Sequence, residues 1–83
     1  MAEAERTLVV VEDEANIADL LDVYLRGAGF RVLQASSGER GLELIDQHRP
    51  ALVVLDIGLP DIDGYEVARR LRAHPACQSV TIV

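Results

Sequence analysis

The chain has 83 residues, 49% of them hydrophobic and 27% charged, with a formal net charge of −6 at pH 7; this suffices for one domain and is too apolar for a disordered chain. The acidic balance argues against nucleic acid as a direct partner of this segment, because phosphate binding needs basic patches, and it serves solubility equally well. The single cysteine, Cys77, excludes an internal disulfide and fits a cytoplasmic setting, Met1–Arg6 lacks an apolar signal core, and no apolar stretch is long enough to span a membrane.

Thr7 to Val11 is β-branched and continuous, the pattern of a strand covered on both faces. From Glu14 to Ala28 the period becomes helical: Ile17, Leu20, Leu21, Tyr24 and Leu25 form one apolar stripe. Asn16, Asp19, Asp22 and Arg26 take the wet side, with Asp22 and Arg26 spaced for an ion pair. Gly29 suits a left-handed cap. Phe30 to Ala35 reads as a second strand. Ser36 and Glu39 have capping-box spacing and open a second helix, weakened by Gly38 and Gly41, with Leu42 and Ile45 facing inward. Pro50 ends it. A third strand runs over Ala51–Leu55. Asp63 and Glu66 are spaced to cap a third helix, with Val67, Ala68 and Leu71 buried and Arg69, Arg70 and Arg72 wet, before His74-Pro75 breaks it. Val80–Val83 begins a fourth strand. Alternating strands and helices imply repeated βαβ units around a parallel sheet, and right-handed crossovers leave few topologies.

Two buried-type strands end in carboxylates, the first in Glu12-Asp13 and the third in Asp56. In open parallel sheets ligands sit outside the carboxyl ends of neighbouring strands. Three carboxylates meeting there repel one another unless a hard divalent cation joins them, which reads as a magnesium site with a potentially nucleophilic aspartate. Taken singly, Asp56 is equally a strand terminator or helix cap, Glu12 and Asp13 equally stabilise a helix dipole, and Gly58, Pro60 and Gly64 are equally turn residues. His48 and His74 flank helix ends without a metal-ligand companion.

Together, Val10-Val11-Glu12-Asp13-Glu14, Leu55-Asp56, Pro60, Asp63-Gly64 and the helix Gly64–Arg72 resemble the receiver domain of bacterial two-component response regulators over essentially the whole chain. The resemblance implies an α/β, doubly wound, flavodoxin-like fold with strand order 2-1-3-4-5, here incomplete as 2-1-3-4 and lacking the last α-β-α portion. Residues 1–83 then form the N-terminal two thirds of a receiver. The resemblance further implies that Asp56 accepts a phosphoryl group from a sensor histidine kinase or phosphotransfer protein. Mg²⁺ would be held by Asp13, by Glu12 directly or through water, by Asp56, and by the backbone carbonyl of Gly58. Glu12 stands where the family often has aspartate.

The same comparison places a serine or threonine and a lysine beyond Val83. An exposed fourth strand and an uncovered sheet face favour a homodimer, with or without exchanged elements. Besides the phosphoacceptor, the sequence therefore admits a fragment that dimerises or binds partners without being phosphorylated. It argues against a phosphohydrolase, which wants a second aspartate where Gly58 stands, so only self-directed phosphotransfer and autodephosphorylation are expected.

Overall fold

The computed structural model describes residues 6–56, 58, 59, 61, 62, 64–73, 81 and 82. In chain order they form β1 (Thr7–Val11), α1 (Ala15–Gly27), β2 (Arg31–Ala35), α2 (Gly38–His48), β3 (Leu52–Leu55), α3 (Gly64–Ala73) and β4 (Thr81–Ile82). The strands make one parallel sheet in the order β2-β1-β3-β4, the order that the resemblance implies. The proposed Asp63 cap, Pro60, the His74-Pro75 break, Cys77, Val80 and Val83 lie outside the described residues.

Strand alternation divides the core into two layers. Val9, Val11, Ala35 and Val53 face Leu44 and Ile45 of α2 and Val67 and Leu71 of α3 in one buried cluster. Leu8 and Val10, pointing the other way, are equally inaccessible to water. That second face lies beneath α1, which packs on β1 and β2 and buries Ala18. Burial on both faces is why β1 reads as an unbroken apolar run.

The stripe predicted on α1 is only partly buried. Leu21 and Leu25 are half-covered, whereas Ile17 is exposed, Leu20 is 70% exposed and Tyr24 is 75% exposed. The outer edge of the apolar arc of α1 therefore meets water. The helix ends as predicted: Gly29 has φ +97°, its N–H reaches the Arg26 carbonyl at 3.0 Å, and the Phe30 N–H reaches the Leu25 carbonyl at 3.2 Å. Arg26 donates to Asp22 and, at 3.1 Å, to the Val32 carbonyl, while Gln34 Nε2 donates to Asp22 at 2.6 Å. Asp22 is thus half-buried between α1 and β2 rather than wet.

The capping box of α2 is displaced by one residue. Ser37, not Ser36, is the N-cap, and its side chain accepts the Arg40 N–H at 3.2 Å. Glu39 therefore stands too early to reach back as the box requires. Gly38 and Gly41, unfavourable as helix formers, are buried where the helix crosses its neighbours. A Cβ on Gly38 would collide with Ile62 and one on Gly41 would lie 2.7 Å from Val11 Cγ2.

Candidate metal and phosphoryl site

β1 and β3 are hydrogen-bonded neighbours with Val11 opposite Leu55, so the residues following each strand emerge side by side. The ladder holds the backbone up to that point: the Glu12 N–H bonds the Ala35 carbonyl at 2.9 Å and the Asp56 N–H bonds the Val11 carbonyl at 2.9 Å. Glu12, Asp13 and Asp56 each present a carboxylate oxygen, all within 4.8 Å of one another. Glu12 and Asp56 are half-buried and Asp13 is exposed.

The cluster is electrostatically loaded. Burial raises the Glu12 pKa above its ordinary value. The Glu14 N–H, 3.1 Å from Glu12 Oε2, opposes that rise, while the charges of Asp56 and Asp13 and a hydrogen bond with Asp56 add to it. A convergent set of carboxylate oxygens with no basic side chain among them suits a hard, oxygen-seeking cation. The donor chemistry therefore fits Mg²⁺.

Gly58 lies two residues past Asp56, exposed, and its N–H approaches Asp56 Oδ1 at 3.3 Å. Among the described residues, setting aside its chain neighbours, none lies within 4 Å of the space a Cβ would take there.

One contributor to this region escaped the sequence reading. Asp61, further along the loop, accepts the N–H groups of Gly38 at 2.8 Å and Glu39 at 2.9 Å. These bonds hold its carboxyl below the usual range. An aspartate at a helix N-terminus is a familiar signal, but this one caps a helix earlier in the chain.

With this geometry in place, comparison with known proteins gives a consistent result. The sequence matches the response regulator receiver domain family over residues 8–83. It is 48% identical over 66 residues to the transcriptional regulatory protein AfsQ1 of Streptomyces coelicolor, covering 80% of this chain and 29% of that protein. It is 42% identical over 67 residues to the alkaline phosphatase synthesis regulator PhoP of Bacillus subtilis, covering 81% of this chain and 28% of that protein. Among solved structures, a response regulator from Chloroflexus aurantiacus superposes with a TM-score of 0.91 at 39% identity, over 95% of this chain and 65% of that one. The response regulator TrrA of Thermotoga maritima, solved with Mg²⁺ and BeF, superposes with a TM-score of 0.79 at 38% identity, over 82% of this chain and 59% of that one.

The chain belongs to the response regulator receiver domains of two-component systems, and its sheet is that of their flavodoxin-like fold. It spans less than a third of the length of the AfsQ1 and PhoP relatives. No helix among the described residues is long and apolar enough to cross a membrane.

Proposed function

We propose that the chain is the phosphoacceptor part of a cytoplasmic two-component response regulator, receiving a phosphoryl group on Asp56 from a histidine kinase or phosphotransfer protein. The observation that carries this reading is the convergence of Glu12, Asp13 and Asp56 within 4.8 Å at the ends of two adjacent parallel strands. Asp56 leaves β3 with its backbone N–H held by Val11, which aims its side chain outward from a rigid support. Its carboxylate oxygen forms the new O–P bond as the P–N bond of the donor phosphohistidine breaks. The imidazole nitrogen keeps the electron pair and takes up a proton.

Glu12, Asp13, Asp56 and the Gly58 carbonyl are the groups that would hold Mg²⁺, which when bound neutralises charge on the phosphoryl oxygens. Support for the metal comes from the donor chemistry and from the TrrA relative solved with Mg²⁺ and BeF. The chemistry is self-directed and turns over no separate substrate; Gly58 offers no acid where a phosphohydrolase would need one.

The test is the intact mass of the chain after incubation with Mg²⁺ and a small-molecule phosphoryl donor. A single phosphoryl adduct on the wild type and none on Asp56→Asn is expected. No adduct on a folded, Mg²⁺-binding wild type would overturn the reading.

One observation favours a second reading, a piece that associates with another copy of itself. Leu20, Val23 and Tyr24 of α1 are each at least 70% exposed, on the side of the helix directed away from β1 and β2. A monomer at micromolar concentration in sedimentation would remove this alternative.

A further inference from the structure

Among its described residues, the loop that leaves Asp56 packs Leu59 and Ile62 against the core and is hydrogen-bonded at two points. Near its start the Gly58 N–H approaches Asp56 Oδ1 at 3.3 Å. Further on, the two carboxylate oxygens of Asp61 take the first two amides of α2, Gly38 to Oδ1 at 2.8 Å and Glu39 to Oδ2 at 2.9 Å. These are charge-assisted bonds at the positive end of a helix dipole, stronger than neutral ones. α2 also has its own cap, Ser37, on the next amide, that of Arg40. The Asp61 bonds therefore complete the helix end and also join two segments 22 and 23 residues apart.

The surroundings reinforce that junction. Gly38 has no Cβ, and the side chain of Ile62 fills the space one would take, with Val67 Cγ2 3.0 Å from the same point. Glu39 accepts Arg70 of α3 at 3.3 Å, and Arg70 Nε donates to Glu66 at 3.0 Å. The end of the loop, the first turn of α2 and the start of α3 are thus packed and bonded together.

We propose that Asp61 is a positioning residue for the acidic site: by tethering the loop to α2 it fixes where Gly58 stands beside Asp56. For its effect on the metal, the proposal rests on the reading of Glu12, Asp13, Asp56 and the Gly58 carbonyl as the Mg²⁺ ligands. The tether itself is independent of that reading. Without the Asp61 bonds the loop keeps the Gly58–Asp56 contact and the packing of Leu59 and Ile62 against the core, and Gly58 would spread over more positions. Each would carry an ordering cost when the cation binds, and groups that orient metal ligands contribute about 10–100-fold to affinity.

The experiment compares Asp61→Ala, Asp61→Asn and Ser37→Ala by amide NMR and by Mg²⁺ titration. Ser37→Ala removes a cap from the same helix without touching the loop, so it reports the effect of loosening α2 alone. Asp61→Ala is expected to move or broaden the Gly58 amide resonance and to weaken Mg²⁺ about tenfold. Asp61→Asn, which keeps an acceptor oxygen, should fall between it and the wild type. Ser37→Ala should lower the urea midpoint yet leave the Gly58 resonance and the Mg²⁺ affinity unchanged.

A Gly58 resonance and Mg²⁺ affinity unaltered in Asp61→Ala would overturn the proposal, as would equal changes in Ser37→Ala. Should Asp61→Ala not fold, Asp61→Asn carries the same readouts. Should the wild type bind no Mg²⁺, the metal reading fails, and the Gly58 resonance alone decides the tether: displacement specific to Asp61 variants supports it and its absence overturns it.

Discussion

Gly41 of α2 lies against Val11 of β1 so closely that a Cβ on the glycine would stand 2.7 Å from Val11 Cγ2 and 3.1 Å from Cγ1. Val11 is β-branched, fully buried and the last residue of β1 before the site carboxylates. It has little freedom to turn aside. Helix propensity alone favours alanine over glycine by about 1 kcal/mol, and overpacking opposes it by about 1–3 kcal/mol. The clash wins here, so Gly41→Ala is expected to lower stability in urea denaturation. Adding Val11→Ala to that variant should cost less than the two single losses together. Gly27, in α1 with no described residue outside its own helix within 4 Å of its Cβ position, gives the opposite sign: Gly27→Ala should stabilise by about 0.4–1 kcal/mol.

Acid should weaken the fold through carboxylates held low by partners. Hydrogen bonds from Arg69 and Arg70 bring Glu66 from 4.5 to about 2. Asp61 is lowered by the amides of Glu39 and Gly38, and Asp22 by Gln34 and Arg26. A folded pKa below the unfolded one contributes stability that is present above the unfolded value and lost as pH falls through the folded value. The urea midpoint should therefore decline between about pH 4.5 and pH 2. Asp61 is exposed and the Glu66 side chain keeps partial contact with water, so salt should shrink the Glu66 contribution. Glu66→Gln should flatten the decline, and an unchanged profile would contradict the assignment.

At the acidic site the sign reverses. The raised pKa of Glu12 reflects burial and the repulsion of Asp56 and Asp13, so crowding of charge there opposes folding when no cation is bound. Asp56→Asn removes one of these charges and is expected to raise the urea midpoint at pH 7 in chelator. Millimolar Mg²⁺ should raise the wild-type midpoint and close most of that gap, because a ligand specific to the folded state stabilises by mass action. An Asp56→Asn midpoint below that of the wild type in chelator would show that the carboxylate is a net structural asset.

The outer edge of α1 should tolerate polar substitution. Leu20 and Tyr24 are 70% and 75% exposed, so Leu20→Gln and Tyr24→Ser should change monomer stability by no more than about 0.5 kcal/mol. If a second copy covers this edge, the same changes should lower the sedimentation coefficient at high protein concentration. A large stability loss in a monomer would mean that the edge is packed against the domain itself.

Much of the fold is legible in the sequence because its signals are local or periodic. The unbroken run Thr7–Val11 marks a strand between two layers, Gly29 marks a helix end, and the carboxylates after β1 and β3 announce one site because neighbouring parallel strands end on the same side. Other features follow from contacts between distant residues. Ser36 and Ser37 carry the same capping chemistry, and the path of the chain out of β2 selects Ser37. Leu20 and Tyr24 belong to the apolar pattern of α1, but the packing of α1 on β1 and β2 decides which part of that arc is covered. Gly38 and Gly41 look like weaknesses until Ile62 and Val11 are set against them.

The sequence by itself determined the alternation of strands and helices and the acidic character of the site, since both follow from residue type and short-range periodicity. Only the tertiary structure decided that Asp61 serves a helix more than twenty residues earlier, binding Gly38 and Glu39. The physical reason is that a carboxylate binds whichever amides the packing of β3, α2 and α3 brings to it, and that proximity is a property of the folded chain.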